Sequence, residues 1–222
     1  LGDLVNGAFV LGAPLGDPAR IGGILADAVA RLRAFPGPIV HVLGNHDLYD
    51  LSKEDFLAAT GSPATFHSLD VGAYHVVVLD AQYTRTGVDV AHIGWMVQGT
   101  IPEAQLSWLE ADLATTDKPT IVLIHQPLDV AFDLLAGGPP VSNALAVRAV
   151  LAASGRVIAV LQGHDHENRY ASIDGIHYVT FAAMVDHDVP TPPTWAAITL
   201  DPAARTMLIE GVGAQDSLEL TY

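Results

Sequence analysis

Apolar, β-branched-rich runs separated by helical patterns are the main feature of this chain. Four runs predict buried strands: 38–43 (PIVHVL), 74–80 (YHVVVLD), 119–124 (PTIVLI) and 156–161 (RVIAVL). Apolar residues also recur at helical spacing, and this pattern predicts three helices, over 19–35, 102–114 and 142–154. Strands that alternate with helices are typical of an α/β layer fold.

After residue 170 the pattern changes to short strands separated by Gly and Pro turns. The segments 176–182, 194–200 and 206–212 predict these strands, which we expect to form a second sheet packed against the first. The Gly/Pro-rich segment 134–143 and the segment 84–101, which has few periodic apolar positions, indicate long functional loops.

Composition limits the classes of partner. The 222 residues are 50% hydrophobic, which is enough for one core, so we expect a single domain over 1–222. A net charge of −15 argues against nucleic acid or an acidic membrane surface as a partner. No run of 18 apolar residues predicts a membrane span. The absence of cysteine excludes disulfides and thiolate-bound zinc. An anionic substrate would be repelled unless bound cations reversed the local charge.

Polar side chains follow each of several predicted strands. They are Gly2-Asp3 near the start, Gly44-Asn45-His46-Asp47 after 38–43, His125 after 119–124, and Gly163-His164-Asp165-His166 after 156–161. In α/β sheets, sites lie beyond the carboxyl ends of the strands, so we expect these side chains to converge on one edge of the sheet.

A carboxylate, an amide and several imidazoles together suit divalent metal ions. One carboxylate can bridge two cations about 3.5–4 Å apart. Nitrogen and oxygen donors accept Mn, and also Fe, Zn or Co. Taken alone, His125 reads more readily as a hydrogen-bonded structural histidine, and Gly-Asp is common in turns. The four motifs in this order, each at a strand end, favour a metal site.

These motifs carry a resemblance to a known family. The order Gly-Asp, Gly-Asn-His-Asp, His and Gly-His-x-His resembles the signature of calcineurin-like metallophosphoesterases over essentially the whole chain. The stretches 41–49, 98–113, 121–128 and 163–186 resemble the manganese-dependent ADP-ribose/CDP-alcohol diphosphatase group in particular. The chain departs from that group at Glu167-Asn168-Arg169, where a glycine pair is expected, and this leaves the substrate open.

The resemblance implies a fold: an αββα sandwich of two sheets flanked by helices. It also implies an Asp-x-His motif on a first strand, which does not precede Asp3 in the sequence given. We therefore expect the strand–helix unit that carries it, about 30–50 residues long, to lie upstream. No signal peptide is visible, and we expect a cytoplasmic location.

The resemblance also implies a role for each motif residue. Asp3 would bridge two divalent ions, with manganese preferred. Asn45, His125 and His164 would complete the coordination of one ion, and His166 would bind the other. His46 would donate a proton to the leaving group, and Asp47 would orient its ring. A hydroxide that bridges the metals would attack phosphorus.

Substrate contacts are more open. Asn6 lies close to Asp3 in sequence and could assist the site, and Tyr49 and Tyr170 follow metal motifs and could stack on a base or ribose or could simply pack. The predicted substrate is a small phosphate ester or anhydride, such as ADP-ribose or a CDP-alcohol. The alternatives are a phosphodiesterase or phosphomonoesterase of other specificity, and a non-catalytic scaffold such as the retromer scaffold subunit. The oligomeric state stays open.

Overall fold

The computed structural model describes residues 1–7, 9–10, 13–14, 16–90, 99–129, 140–184 and 193–222, with side chains except at 9–10 and 13–14. The helices are α1 (Pro18–Leu32), α2 (Lys53–Thr60), α3 (Glu103–Ala114) and α4 (Ala144–Ser154), with a 3₁₀ turn over His46–Leu48. The strands are β1 (Phe9–Val10), β2 (Ala13–Pro14), β3 (His67–Val71), β4 (Tyr74–Val78), β5 (Thr120–Leu123), β6 (Val157–Gln162), β7 (Arg169–Ile173), β8 (Ile176–Thr180), β9 (Trp195–Asp201), β10 (Thr206–Val212) and β11 (Leu218–Thr221).

The larger sheet has six strands in the order β3-β4-β5-β6-β8-β7. Strands β4, β5, β6 and β8 run parallel, and β3 and β7 close the two edges in antiparallel pairs. A second, antiparallel sheet has the order β11-β10-β9, and β1 pairs with β2 in a short hairpin. The carboxyl ends of β4, β5, β6 and β8 therefore share one edge of the larger sheet.

The two faces of the larger sheet bury different partners. Helices α3 and α4 cover one face through Leu109 and Val147, which pack with Val122, Val160 and Tyr178. The three-stranded sheet covers the other face; its inward side chains Met207, Ile209 and Leu220 pack against Ile121, Ile158, Leu161 and Val179. A separate cluster joins α1 and α2 to the segment that carries Leu43 and Leu48. The predicted two-sheet sandwich flanked by helices is confirmed.

Local sequence signals explain where the helices begin and end. The Asp17 side chain accepts the Ala19 N–H, and Pro18 occupies the first turn of α1. Ser52 and Asp55 form a reciprocal capping box at α2. Gly155 ends α4 with a φ of 61°, a left-handed conformation that glycine adopts without a steric penalty. No helix among the described residues is both long and apolar enough to span a bilayer.

The predicted helices and most of the predicted strands are confirmed. Strand β8, which was expected in the second sheet, instead joins the larger sheet beside β6. The strand predicted over 38–43 is wrong. A β-strand is defined by its hydrogen bonds to a neighbouring strand, and this segment joins no sheet within the described part of the chain. His41, Val42 and Leu43 in it are nevertheless buried, which explains its strand-like pattern. Helix α2 and strands β1, β2, β3, β7 and β11 were not predicted. Most of the predicted loop 134–143 lies outside the described residues.

Candidate metal centre

Two parallel strands bring the first pair of candidate ligands together. Strands β5 and β6 are neighbours, and their pairing continues past their ends: the Ile124 N–H donates to the Leu161 carbonyl at 3.1 Å. The Gly163 N–H in turn donates to the His125 carbonyl at 2.9 Å. His125 and the following His164 therefore emerge side by side, with ring centroids 5.0 Å apart.

Four donor atoms meet at this point. Asn45 Oδ1 lies 2.9 Å from His125 Nε2 and 3.1 Å from His164 Nδ1. The two imidazole nitrogens lie 3.2 Å apart, and Asp3 Oδ2 lies 3.2 Å from His125 Nε2. We call Asp3, Asn45, His125 and His164 the donor cluster. These are four of the five residues predicted from the sequence to bind metal.

The spacing of the donor cluster fits a metal ion. For metal–ligand bonds of about 2.1 Å, adjacent ligands lie about 3.0 Å apart in octahedral geometry and about 3.4 Å apart in tetrahedral geometry. The observed separations of 2.9 to 3.2 Å lie near the octahedral value and below the tetrahedral one. Among the described residues, Asp3, His125 and His164 do not by themselves form a group that could hold a metal. The cluster instead depends on the Asn45 amide oxygen, which contacts both imidazoles.

The hydrogen bonding of His125 shows why the cluster favours a cation. Its Nδ1 lies 2.7 Å from the Leu1 carbonyl oxygen, which can only accept, so Nδ1 carries the proton. In the neutral ring, Nε2 then points a lone pair at the oxygens of Asn45 and Asp3. Converging lone pairs repel one another unless a proton or a metal ion lies between them. The Leu1 contact also orients the ring, as partners of metal-bound histidines do.

The pKa shifts of the cluster indicate which of its groups are charged. Burial raises the pKa of Asp3, but the charges and hydrogen bonds of His125 and His46 outweigh it and lower that pKa overall. Burial lowers the pKa of His125, but Asp3 raises it overall. Burial and the neighbouring His125 lower the pKa of His164 to about 3. Near neutral pH Asp3 is therefore an anion and His164 is a neutral ring with a lone pair for a metal.

Two glycines of the sequence motifs permit this close approach. A Cβ atom at Gly44 would overlap the carboxylate and backbone nitrogen of Asp3, and one at Gly2 would overlap the His125 ring. Gly2 also has a φ of 89°, and Asp3 has a φ of 54°. The Gly-Asp and Gly-Asn-His-Asp motifs thus need their glycines because the two loops touch.

His46 lies beside the cluster, and its partners differ from those predicted. Its backbone N–H donates to Asp3 Oδ1 at 2.8 Å, and its ring Nδ1 lies 2.7 Å from Asn6 Oδ1. Burial, together with His125 and His166, lowers the pKa of the ring, although Asp3 opposes this shift. Asn6 therefore holds the position on the ring that the sequence analysis assigned to Asp47.

The Asp47 carboxylate instead ties two loops together. It is fully buried and accepts the backbone N–H groups of Asp3, Val5 and Gly44 at 3.1, 3.1 and 2.9 Å. Burial and the charge of Asp3 raise its pKa to about 7, against the effect of the Gly44 and Val5 hydrogen bonds. This geometry corrects the expectation that Asp47 orients the His46 ring. The side chain positions the loop that carries Asp3.

The two candidate tyrosines lie in different places. Tyr49 is only 4% exposed, and its Oη lies 3.2 Å from Asn45 Nδ2, so it directs the Asn45 oxygen toward the cluster. Tyr170 is 44% exposed and contacts His177 Nδ1 at 3.0 Å. The buried position of Tyr49 favours the packing alternative over stacking on a substrate. A substrate contact for Tyr170 stays a prediction.

His166 is exposed at the end of the Gly-His-x-His motif. Its charge lowers the pKa of both His46 and His164, so it lies close to the site without belonging to the donor cluster. Its role as a ligand stays a prediction. The sequence analysis also missed the contacts that Arg169 makes next to this motif. The only signal for them was its departure from the expected glycine pair.

Comparisons with known proteins agree with the motifs. A manganese-dependent ADP-ribose/CDP-alcohol diphosphatase of Arabidopsis thaliana is 23% identical over an alignment of 232 positions, which covers 84% of this chain and 70% of that protein. A protein of the same description from Xenopus tropicalis is 32% identical over 130 residues, 57% of this chain. This chain spans 37% of the length of the Xenopus relative.

A solved structure shows the same fold. A dimetal phosphatase from Danio rerio superposes with a TM-score of 0.75 at 21% identity, over 94% of this chain and 81% of that one. The family model of calcineurin-like phosphoesterases matches residues 1–168, which is most of the chain. This match confirms the resemblance inferred from the motifs, and the chain belongs to the calcineurin-like phosphoesterase family.

Proposed function

We propose that this chain hydrolyses a phosphoanhydride bond in a small nucleoside-diphosphate-linked compound, such as ADP-ribose or a CDP-alcohol, with two divalent cations, preferably Mn²⁺. The observation that carries the proposal is the convergence of four donor atoms at separations of 2.9 to 3.2 Å. The family match supports phosphoester chemistry, and the names of the relatives support this substrate class.

Each residue of the cluster has a role in this proposal. Asp3, Asn45, His125 and His164 hold one cation, and Asp3 and His166 contribute to the second. When bound, the cations supply an activated water and neutralise the charge of the phosphate groups. This neutralisation explains how a chain with a net charge of −15 could bind an anionic substrate.

His46 is the proposed proton donor to the leaving oxygen. Asn6 Oδ1 can only accept, so it fixes a proton on His46 Nδ1 and leaves Nε2 for proton transfer. Burial lowers the pKa of the ring, which makes the imidazolium a stronger acid. Asp3 holds the His46 backbone beside the cluster.

Reconstitution with Mn²⁺ and a panel of substrates tests the proposal. ADP-ribose should yield AMP and CDP-choline should yield CMP, both measured by anion-exchange chromatography. Release of inorganic phosphate alone, from phosphomonoesters, would favour the phosphomonoesterase alternative. Tight Mn²⁺ binding without turnover of any phosphate ester would favour a non-catalytic scaffold.

Two histidine variants provide a matched comparison. His125→Gln should abolish turnover and weaken Mn²⁺ binding, because it removes a ring at the centre of the cluster. His75→Gln should leave Mn²⁺ binding intact. His75 is equally a buried imidazole with partners on both ring nitrogens, but it lies near the start of β4, at the opposite end of the sheet. Equal Mn²⁺ affinity in the two variants would contradict the proposed site.

A further inference from the structure

Arg169, the first residue of β7, joins two loops of the site. Its guanidinium makes a two-pronged contact with Asp129, with Nε and Nη2 each 3.1 Å from a carboxylate oxygen. Its Nη1 donates to Asp165 Oδ2. Asp129 follows His125 in the loop after β5, and Asp165 lies between His164 and His166 in the loop after β6.

The Asp129 end of this bridge is anchored to the sheet. Gln162, the last residue of β6, donates from Nε2 to Asp129 Oδ1 and to Thr180 Oγ1, and its Oε1 accepts the Leu128 N–H at 3.0 Å. The Asp129 side chain is 1% exposed. Arg169 therefore binds a carboxylate whose position is fixed by two neighbouring strands.

Asp165 lies in a backbone segment whose conformation is unfavourable. His164 and His166 have φ values of 72° and 63°, in the left-handed region that non-glycine residues disfavour. Such a conformation persists only when surrounding contacts hold it. Asp165 lies between the two, its side chain is 6% exposed, and it forms an ion pair with Arg169. Movement of Asp165 would therefore move both histidines.

The chemistry of the contact requires arginine. Two buried carboxylates share one cation, so the loss of that cation would leave two like charges in a poorly solvated place. A guanidinium has a planar fork that can engage one carboxylate with two N–H groups and a second with another. A lysine ammonium is a point charge and cannot reproduce this pattern.

We propose that Arg169 is a positioning residue that fixes His164 and His166 relative to His125 and thereby sets the affinity of the site for divalent cations. The inference rests on the proposed function, because it takes these histidines as metal ligands. Arg169 acts through its contacts with Asp165 and Asp129. It stands in the stretch Glu167-Asn168-Arg169, where the sequence resemblance predicted a glycine pair.

Mn²⁺ affinity, measured by electron paramagnetic resonance of free Mn²⁺, tests the inference without turnover. Arg169→Met should raise the Kd about 10-fold, the lower end of the range for a lost partner of a metal ligand, because Arg169 contacts neighbours of the ligands and not the ligands themselves. Arg169→Lys should show an intermediate loss, and low millimolar guanidinium should restore part of the affinity of Arg169→Met. Asp129→Asn provides a second route if Arg169→Met does not fold, because it keeps the Asp165 ion pair and loses the two-pronged contact.

Arg156→Met is the matched control. Arg156 also pairs with an aspartate, Asp117, at 2.8 Å, but this pair is exposed and lies at the opposite end of β6, just before the strand begins. The Kd of Arg156→Met for Mn²⁺ should stay within about twofold of the wild-type value, because an exposed ion pair contributes little to stability. Thermal unfolding without metal should accompany each measurement, so that a general loss of stability is separated from a loss of affinity.

The outcomes separate this inference from the proposed function. If the wild-type chain binds Mn²⁺ and folded Arg169→Met or Asp129→Asn binds it equally well, the positioning role is wrong and the metal site stands. If Arg169→Met lowers the unfolding temperature but not the affinity, the bridge is only structural and the inference is likewise wrong. If the wild-type chain takes up no Mn²⁺, or His125→Gln does not weaken uptake, the proposed site fails and this inference fails with it.

Discussion

Replacement of Tyr49 by phenylalanine tests whether the Asn45 amide must be held in place. The variant keeps the buried ring and its contact with His46, whose centroid lies 4.4 Å away. It removes the hydroxyl that lies 3.2 Å from Asn45 Nδ2. Asn45 would then be free to turn its oxygen away from His125 and His164, and the site would lose part of its preorganisation.

The size of the effect follows from one neutral hydrogen bond. Such a bond contributes about 1 kcal/mol net, which corresponds to about fivefold in Kd for Mn²⁺ if the whole contribution serves to orient the amide. The same loss should lower the unfolding temperature by about 2–4 °C in a chain of this length. Mn²⁺ titration followed by electron paramagnetic resonance gives the first quantity, and calorimetry of the metal-free chain gives the second.

Tyr170→Phe is the control for the loss of a tyrosine hydroxyl. Its Oη lies 3.0 Å from His177 Nδ1, away from the donor cluster, so the variant should lose a similar amount of stability and no Mn²⁺ affinity. The reasoning is refuted if Tyr49→Phe binds Mn²⁺ as tightly as the wild-type chain. It is equally refuted if Tyr170→Phe weakens binding to the same extent.

Two further predictions concern stability. Gly44→Ala should lower the free energy of unfolding by about 1–3 kcal/mol in urea titrations, because the added Cβ would overlap the loop that carries Gly2 and Asp3. Gly23 lies in open space within α1, so Gly23→Ala should raise the free energy of unfolding by about 0.5–1 kcal/mol. Burial lowers the pKa of His75, but hydrogen bonds to Asp112 and Asp70 raise it overall above its unfolded value. The stability that the charged ring contributes is therefore complete below about pH 6.5 and is lost as the pH rises through the folded pKa. The difference in free energy of unfolding between the wild-type chain and His75→Gln should shrink from pH 5.5 to pH 8.5. A constant difference would contradict this prediction.

The sequence by itself determined the features that depend on local periodicity. The apolar stripe of α3 (Leu106, Leu109 and Leu113) is buried as its spacing predicts. The continuous apolar run of β6 is buried at every position, because a parallel strand between two layers has no solvent face. Placement of His125 and His164 at neighbouring strand ends followed from the same alternation, since parallel strands finish at one edge of the sheet.

The tertiary structure decided what depends on pairing between distant segments. The apolar pattern of 38–43 indicates that the segment is buried. Burial alone does not show whether a segment pairs with a strand, and this one pairs with none of the described strands. The roles of Asn6, Asp47 and Tyr49 were likewise set by which atoms the fold brings within hydrogen-bonding distance. A sequence shows which side chains can donate, accept or bind a cation, but their partners are chosen by contacts between segments far apart in the chain, and these exist only after folding.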